Sequence, residues 1–367
     1  MVRVVVVGGS HAGLAAARTM MEYAATLYNA STPSGGPVVP LSSRLSLSVT
    51  VVEPRTHEFF TPKIQSVLLG GPTSKVIGET LNVDFGAGKV TLLRGLADKI
   101  DRAAGKVHVS LADEGGASGG SVTLSYDRLL LATGSTHPSK PDPTSFPDVL
   151  AHVEASIVSR ARELANSARV VIIGGGRAGL DLALGLSRSP AHAHIDVHLV
   201  HPGPHLLRPS SYKGDGSGLI EKLAAKVKGA QEAETISLHL EQRVTAVDEA
   251  RDGRSSVRLT SGLLIEDVDT VVWATGASLS SHLYDGLPRD EVSGRLPVDA
   301  SLRLLAGPSL ASGPADDGRI FVLGDACNCN GRMRAKWART QGEWLGRALV
   351  DEALGKGLGT YPEYGED

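Results

Sequence analysis

Only two cysteines, Cys327 and Cys329, occur in 367 residues, so no disulfide framework can hold this chain together. Aromatic side chains make up 4%, too few for the stacking platforms of single-strand nucleic-acid binding or for a carbohydrate-type groove. Neither sign of charge dominates. The 37 basic and 40 acidic residues leave −3, without the basic footprint of a nucleic-acid protein. No run reaches the ~18 uninterrupted apolar residues of a membrane-spanning helix. The start, Met1-Val2-Arg3-Val4-Val5, carries neither a signal-peptide cleavage site nor the glycine that myristoylation needs. With both thiols expected to be reduced, these absences predict a cytoplasmic protein with at most peripheral membrane association. The length suits two domains, and a chain of this size can bury roughly 70–75% of its unfolded surface.

Glycine is abundant, 43 residues, and its placement repeats. Arg3 to Ala17 read RVVVVGGSHAGLAAA, and Arg169 to Leu182 read RVVIIGGGRAGLDL. Each is a short β-branched run, a glycine-rich turn, then small and apolar residues at helical spacing: a buried parallel strand leading into a closely packed helix. A second echo follows in the same order, RLLLATG from Arg128 to Gly134 and TVVWATG from Thr270 to Gly276, and RIFVLGD closes the series at Asp325. Loops are expected at Asn29–Ser43, Asp113–Ser121, Thr136–Pro147 and Leu305–Gly318, where Gly, Ser and Pro cluster.

A dinucleotide loop needs glycines for the tight turn, for the approach of backbone to pyrophosphate, and for close helix–strand packing. The helix N-terminus then offers unpaired N–H groups to the phosphates. Gly174, Gly176 and Gly179 meet the spacing fully. In the first loop, Gly8-Gly9-Ser10-His11-Ala12-Gly13, serine replaces the middle glycine and can donate to a phosphate. The strand Leu47 to Val52 ends at Glu53, a suitable acceptor for ribose hydroxyls, followed by Pro54 and Arg55. At the matching place in the second unit, after Asp196 to Val200, stands His201. Without a carboxylate there, nothing repels a 2′-phosphate, so NADPH is as admissible as NADH.

Taken in order, GGSHAG, VVEP, LLLATG, IIGGGRAG, VVWATG and VLGDA resemble the two-dinucleotide-binding-domain flavoprotein superfamily, from Val4 to about Val350. The VHLVHPGPHLL segment, the compact length and the RMRAKWARTQGEWLGRAL tail look most similar to its apoptosis-inducing-factor-homologous, ferroptosis-suppressor group. The resemblance implies an α/β fold with two Rossmann-like domains: an FAD domain, residues 1–143 and 277–367, interrupted by an NAD(P)H domain, residues 144–276. It implies non-covalent FAD, hydride transfer from NADH or NADPH to flavin N5, and electrons passed to a quinone-like or other small acceptor, or to oxygen. Carried over by position, Glu53 would hold the FAD ribose and Asp325 the ribityl or phosphate end, with Pro62 and Lys63 beside the isoalloxazine and Thr133 and Gly134 near the cofactor. Lys336 would sit by the flavin's pyrimidine side. Asp181, where the family usually has glutamate, would lie near the nicotinamide amide, and Gly276 is a further cofactor-binding candidate.

Disulfide reductases of the superfamily need a CxxC or CxxxxC pair near the flavin. Cys327-Asn328-Cys329 stands elsewhere, so no thiol relay is expected. Two other readings stay open: a biosynthetic flavoenzyme acting on a specialised metabolite with little use of NAD(P)H, and a signalling or DNA-binding flavoprotein, which the balanced charge disfavours.

Overall fold

β-Branched runs with buried side chains on both faces set the architecture, because such strands are stable only inside a parallel sheet covered by helices. The computed structural model describes residues 1–30, 46–60, 63–83, 90–112, 118–136, 149–207, 225–226, 229, 235–276, 278–279, 282–291, 293–307, 318–329 and 335–362. In the first unit, β1 (Val2–Val7) leads to α1 (His11–Ala30) and β2 (Leu47–Val52). Then come β3 (His57–Phe59), α2 (Ile64–Leu68), β4 (Ile77–Thr80) and β5 (Val90–Leu93). An antiparallel sheet of β6 (Gly95–Asp101), β7 (Lys106–Ala112) and β8 (Ser118–Ser125) follows, then β9 (Arg128–Leu131) and β10 (Ser135–Thr136).

The second unit holds α3 (Val149–Asn166), β11 (Arg169–Ile173), α4 (Arg177–Arg188), β12 (Asp196–Val200) and β13 (Ser237–His239). It continues with an antiparallel sheet of β14 (Val244–Glu249), β15 (Ser255–Leu259) and β16 (Leu264–Val268), then β17 (Thr270–Trp273) and β18 (Ser278–Leu279). The chain returns to the first unit through β19 (Ile320–Val322) and α5 (Ala335–Ala353).

The two central sheets are parallel and ordered β19-β9-β1-β2-β5 and β13-β12-β11-β17. In each, the chain moves from the glycine strand to one side, then crosses back to pair on the other. The crevice of such a sheet opens where that reversal occurs, between β1 and β9 in one unit and between β11 and β17 in the other. Val4 to Val7, Leu129 to Leu131 and Ile320 to Val322 are all buried.

α5 closes the first sheet by lying against α1. A side chain at Gly342 would strike the Ala12 carbonyl oxygen, and one at Gly346 the Ala16 carbonyl oxygen. Small residues four apart on both helices let the backbones meet. The same close approach fixes the register of α5 and therefore aims Gln341.

Several loop boundaries move. α1 runs through Ala30, so the predicted loop at Asn29 begins at least two residues late. The sequence there has no helix stop until its Ser-Thr-Pro. Ser118 to Ser121 belong to β8 and Thr136 to β10, because pairing partners override the local glycine and serine content; 113–117 and 137–148 lie outside the described residues. Among the described residues, no helix is long and apolar enough to cross a membrane.

Candidate functional site

The two glycine turns share one geometry at their first and last glycines. Gly8 and Gly174 have φ of 110° and 120°, a left-handed region that disfavours any side chain. A Cβ on Gly8 would strike the Ala132 carbonyl oxygen, and one on Gly174 the Ala274 carbonyl oxygen. That explains the second sequence echo: the alanines of the two ATG segments form the wall at the sheet's reversal point. Gly13 presses on the Gly8 carbonyl oxygen and Gly179 on that of Gly174. Gly8 N donates to Val52 O at 2.9 Å and Gly174 N to Val200 O at 2.8 Å. At Gly176, by contrast, a Cβ would meet nothing within 4 Å. This is the open side of the turn, where Ser10 stands in the first unit.

Both turns feed helix N-termini with no acidic residue in the first turn, which leaves the N–H groups and the dipole available to an anion. His11 begins α1 half-buried, with its ring edge-on to Phe60 at 5.4 Å between centroids. Its Nε2 is buried without a hydrogen-bond partner. Burial lowers the His11 pKa, and Arg55 and Arg339 add to this against the opposing pull of Glu58 and Asp325. The α1 N-terminus after Ser10 fits a dinucleotide pyrophosphate through its N–H groups, and the orphaned His11 Nε2 beside it fits a polar ligand atom.

The ends of β2 and β12 differ. Glu53 is 2% exposed. Its Oε2 accepts from Gly9 N at 2.6 Å and Arg55 Nη2 at 2.9 Å. Its Oε1 accepts from Arg55 N at 3.1 Å and Arg55 Nε at 2.6 Å. Burial pushes this carboxyl up, but the Arg55 guanidinium and the two N–H donors outweigh it, so Glu53 lies below the ordinary glutamate value. At the equivalent position, Gly175 N donates to His201 Nδ1 at 3.2 Å. The imidazole therefore takes the carboxylate's structural role with its proton on Nε2. Gly203 replaces the arginine, and a Cβ there would come within 3.0 Å of His201 Nε2.

At the far end of the first cradle, Asp325 Oδ2 accepts from Ser135 Oγ at 2.9 Å. Arg295, Asp325, Cys327, Cys329 and Gln341 line one cavity there. Gln341 is 6% exposed. Its Oε1 accepts from Gly324 N at 2.7 Å, and its Nε2 donates to Cys329 Sγ at 2.7 Å. Burial lowers the Arg295 pKa against the pull of Asp325 and Asp290. Cys327 and Cys329 are joined as a disulfide, which corrects the expectation of two reduced thiols: their short spacing and shared packing against Gln341 bring the sulfurs together. Thr133 hydrogen-bonds the hydroxyl of buried Tyr284, whose pKa burial pushes up to about 12.

Other expected residues lie farther out. Lys336 is exposed, with Nζ 5.4 Å over the Trp337 ring, and it does not line the Asp325 cavity. Asp181 pairs with Arg177 one turn earlier at 3.4 Å, with 37% of its side chain exposed. Lys63 is exposed at the start of α2, and Pro62 lies outside the described residues. Gly134 and Gly276 have φ of 69° and 107°, as turns after β9 and β17 require, and Pro54 separates Glu53 from its arginine. Sequence reasoning missed Gln341, Arg295, Ser135 and Tyr284. Only Gln341 left a signal, as an uncharged polar residue next to a packing glycine on α5.

The family model described as pyridine nucleotide-disulphide oxidoreductase matches residues 2–342. Members of that family use FAD and NAD(P)H. Oxidoreductase OXR1 of Ajellomyces capsulatus is 24% identical over 99% of this chain and 76% of that protein. Ferroptosis suppressor protein 1 of Xenopus tropicalis is 23% identical over 98% of this chain and 83% of its own. Among solved structures, a NAD-dependent persulfide reductase from A. fulgidus superposes with a TM-score of 0.66 at 21% identity, covering 98% of this chain. This chain spans 60% of that longer one, and the likeness at that identity is one of fold.

Proposed function

The chain belongs to the pyridine nucleotide-disulphide oxidoreductase family, and from that premise we propose that it transfers electrons from NADH or NADPH, by way of non-covalent FAD, to a quinone-like or other small acceptor or to oxygen. The supporting observation is the duplicated glycine turn with unlike groups behind it, Glu53 with Arg55 in one copy and His201 with Gly203 in the other. Two cradles of one shape with different ribose-facing chemistry suit two different dinucleotides.

On this reading residues 1–143 and 277–367 form the FAD unit and 144–276 the NAD(P)H unit. Bound together, the two cofactors supply two-electron redox chemistry that no side chain of the protein carries. The protein's part is position and charge. The Gly8–Gly13 turn and the α1 N-terminus hold the FAD pyrophosphate, and Asp325, steadied by Ser135, holds the ribityl end. All four acceptor positions of Glu53 are taken by Gly9 and Arg55. Gripping two ribose hydroxyls therefore requires the Arg55 guanidinium to turn aside. Gly176 leaves room for the second pyrophosphate, and Asp181 orients the nicotinamide amide. Lys336, exposed at the start of α5, is the cation proposed for the flavin's pyrimidine side.

Anaerobic stopped-flow mixing of the FAD-loaded protein with NADH, then NADPH, tests the proposal. Rapid bleaching of the flavin by at least one donor, followed by reoxidation on adding a soluble quinone, is expected. A flavin that neither donor reduces would leave the specialised-metabolite reading in its place.

A further inference from the structure

We propose that Gln341 is a positioning residue for FAD, holding the Asp325 turn against the start of α1 so that the two ends of the flavin site keep one spacing. The proposal rests on assigning the first unit to FAD and adds the residue that sets its grip. Gln341 is 6% exposed, the one buried polar side chain among the described residues of α5. A buried amide is costly unless it is hydrogen-bonded, and both ends of this one are. Gly324 N can only donate, so the amide oxygen must face it, and Oε1 accepts at 2.7 Å. That orientation sends Nε2 toward the sulfurs, where it donates to Cys329 Sγ at 2.7 Å.

The place of these bonds gives them a function beyond packing. Leu323 N still belongs to the sheet, donating to Leu131 O at 2.9 Å. The chain then leaves the sheet at Gly324, whose φ is 66°, and closes a turn in which Cys327 N donates to Gly324 O at 3.2 Å. Asp325 stands in that turn, and Gln341 grips the residue immediately before it. A Cβ on Gly324 would lie 3.5 Å from Ala338 Cβ of α5 and 3.6 Å from Ala12 Cβ of α1. The turn is therefore seated where the two helices meet. Gly342, next to Gln341, presses on the Ala12 carbonyl oxygen. Two consecutive residues of α5 thus brace the Asp325 turn and the first turn of α1 at once. On the proposed assignment these are the ribityl and pyrophosphate ends of one FAD. Fixing their spacing before binding is preorganisation, which raises affinity without adding a contact to the ligand.

Fluorescence titration of the FAD-stripped full-length protein with FAD tests the proposal. Gln341→Met keeps an unbranched side chain but neither bond. It should weaken FAD by about tenfold or more, some 1.4 kcal/mol, and leave NAD⁺ and NADP⁺ binding unchanged. A residue that acts through Asp325 loses its effect once Asp325 is gone. Asp325→Ala with Gln341→Met should therefore bind FAD no more weakly than Asp325→Ala alone. Gln341→Leu takes the same place in the cycle if the methionine variant does not fold. Gln341→Met affinity within twofold of wild type, equal weakening of FAD and the nicotinamide dinucleotides, or losses that add in the double variant each overturn the proposal and leave the FAD assignment standing. Wild-type protein that takes up no FAD overturns that assignment, and this proposal with it.

Discussion

The first and second glycine turns share a backbone and differ in what stands behind it. Gly8, Gly13 and the Ala132 carbonyl oxygen in one unit correspond to Gly174, Gly179 and the Ala274 carbonyl oxygen in the other. At the strand end, a buried carboxylate clamped by arginine faces an imidazole beside a glycine. The frame that can receive a pyrophosphate is made of main chain, and side chains can alter it only by breaking it. On the proposed assignment, ligand choice would sit in one or two side chains after the second strand, where the two units differ.

The frame is where substitution should cost most. Gly13→Val and Gly179→Val each force a side chain onto a carbonyl oxygen of their own turn, and each should destabilise the protein by about 3 kcal/mol or more, the upper range of overpacking. Urea unfolding measures both. If one turn tolerated valine, the two frames would not be equivalent.

The strand ends should then separate. Glu53→Ala leaves the half-buried Arg55 guanidinium without its partner, at a cost of about 3 kcal/mol. His201→Ala removes the hydrogen bond from Gly175 N, worth about 1 kcal/mol. Acid should show the same contrast. The folded-state pKa of Glu53 is depressed, so its stabilisation is complete above the unfolded value of about 4.3 and is lost as pH falls through the lower folded value. Stability measured from neutral pH downward should fall more steeply below pH ~4 in wild type than in Glu53→Gln. Equal acid limbs would show that the Arg55 clamp does not govern this carboxyl.

Smaller effects sharpen the division of labour. Gly176→Val puts its side chain into open space, so stability and bound FAD should be unchanged. Reduction by NAD(P)H should nevertheless weaken at least tenfold, about 1.4 kcal/mol. General unfolding would mean that Gly176 is only a packing glycine. Asp181→Ala should change stability by no more than about 0.5 kcal/mol, since its pair with Arg177 is exposed. Its expected effect is slower flavin reduction at nearly unchanged dinucleotide affinity, because it disturbs geometry. Least of all, Cys327→Ser with Cys329→Ser should keep turnover within about threefold. A ring this short removes only roughly 1.5 kcal/mol of chain entropy, and the cysteines stand outside the proposed electron path. A hundredfold loss with FAD still bound would place the chemistry at the sulfurs.

Legibility in the sequence followed the physics of each feature. Strands β1, β2, β9, β11, β12, β17 and β19 could be read from apolar runs, and in β1, β9, β11 and β19 burial on both faces leaves one pattern available. The glycine turns were equally plain, since close backbone approach admits one residue type. The role of the ATG echo was not, as the contact of Ala132 with Gly8 joins residues far apart in the chain. The same holds for Gln341, whose partner Gly324 N becomes visible only once α5 lies on α1. Loop edges slipped where composition and pairing disagree, as at Ser118 to Ser121. Lys336 and Asp181 were placed by position in a motif, and side-chain direction on a helix is set by packing that the motif does not encode.

The proposed division between the two units is tested most directly by measuring cofactor content and reduction on one preparation. Purified protein should be yellow, releasing one FAD per chain on acid denaturation, and NADH or NADPH should bleach that flavin under anaerobic conditions. Colourless protein that takes up no FAD on reconstitution would contradict the account, however well the fold matches.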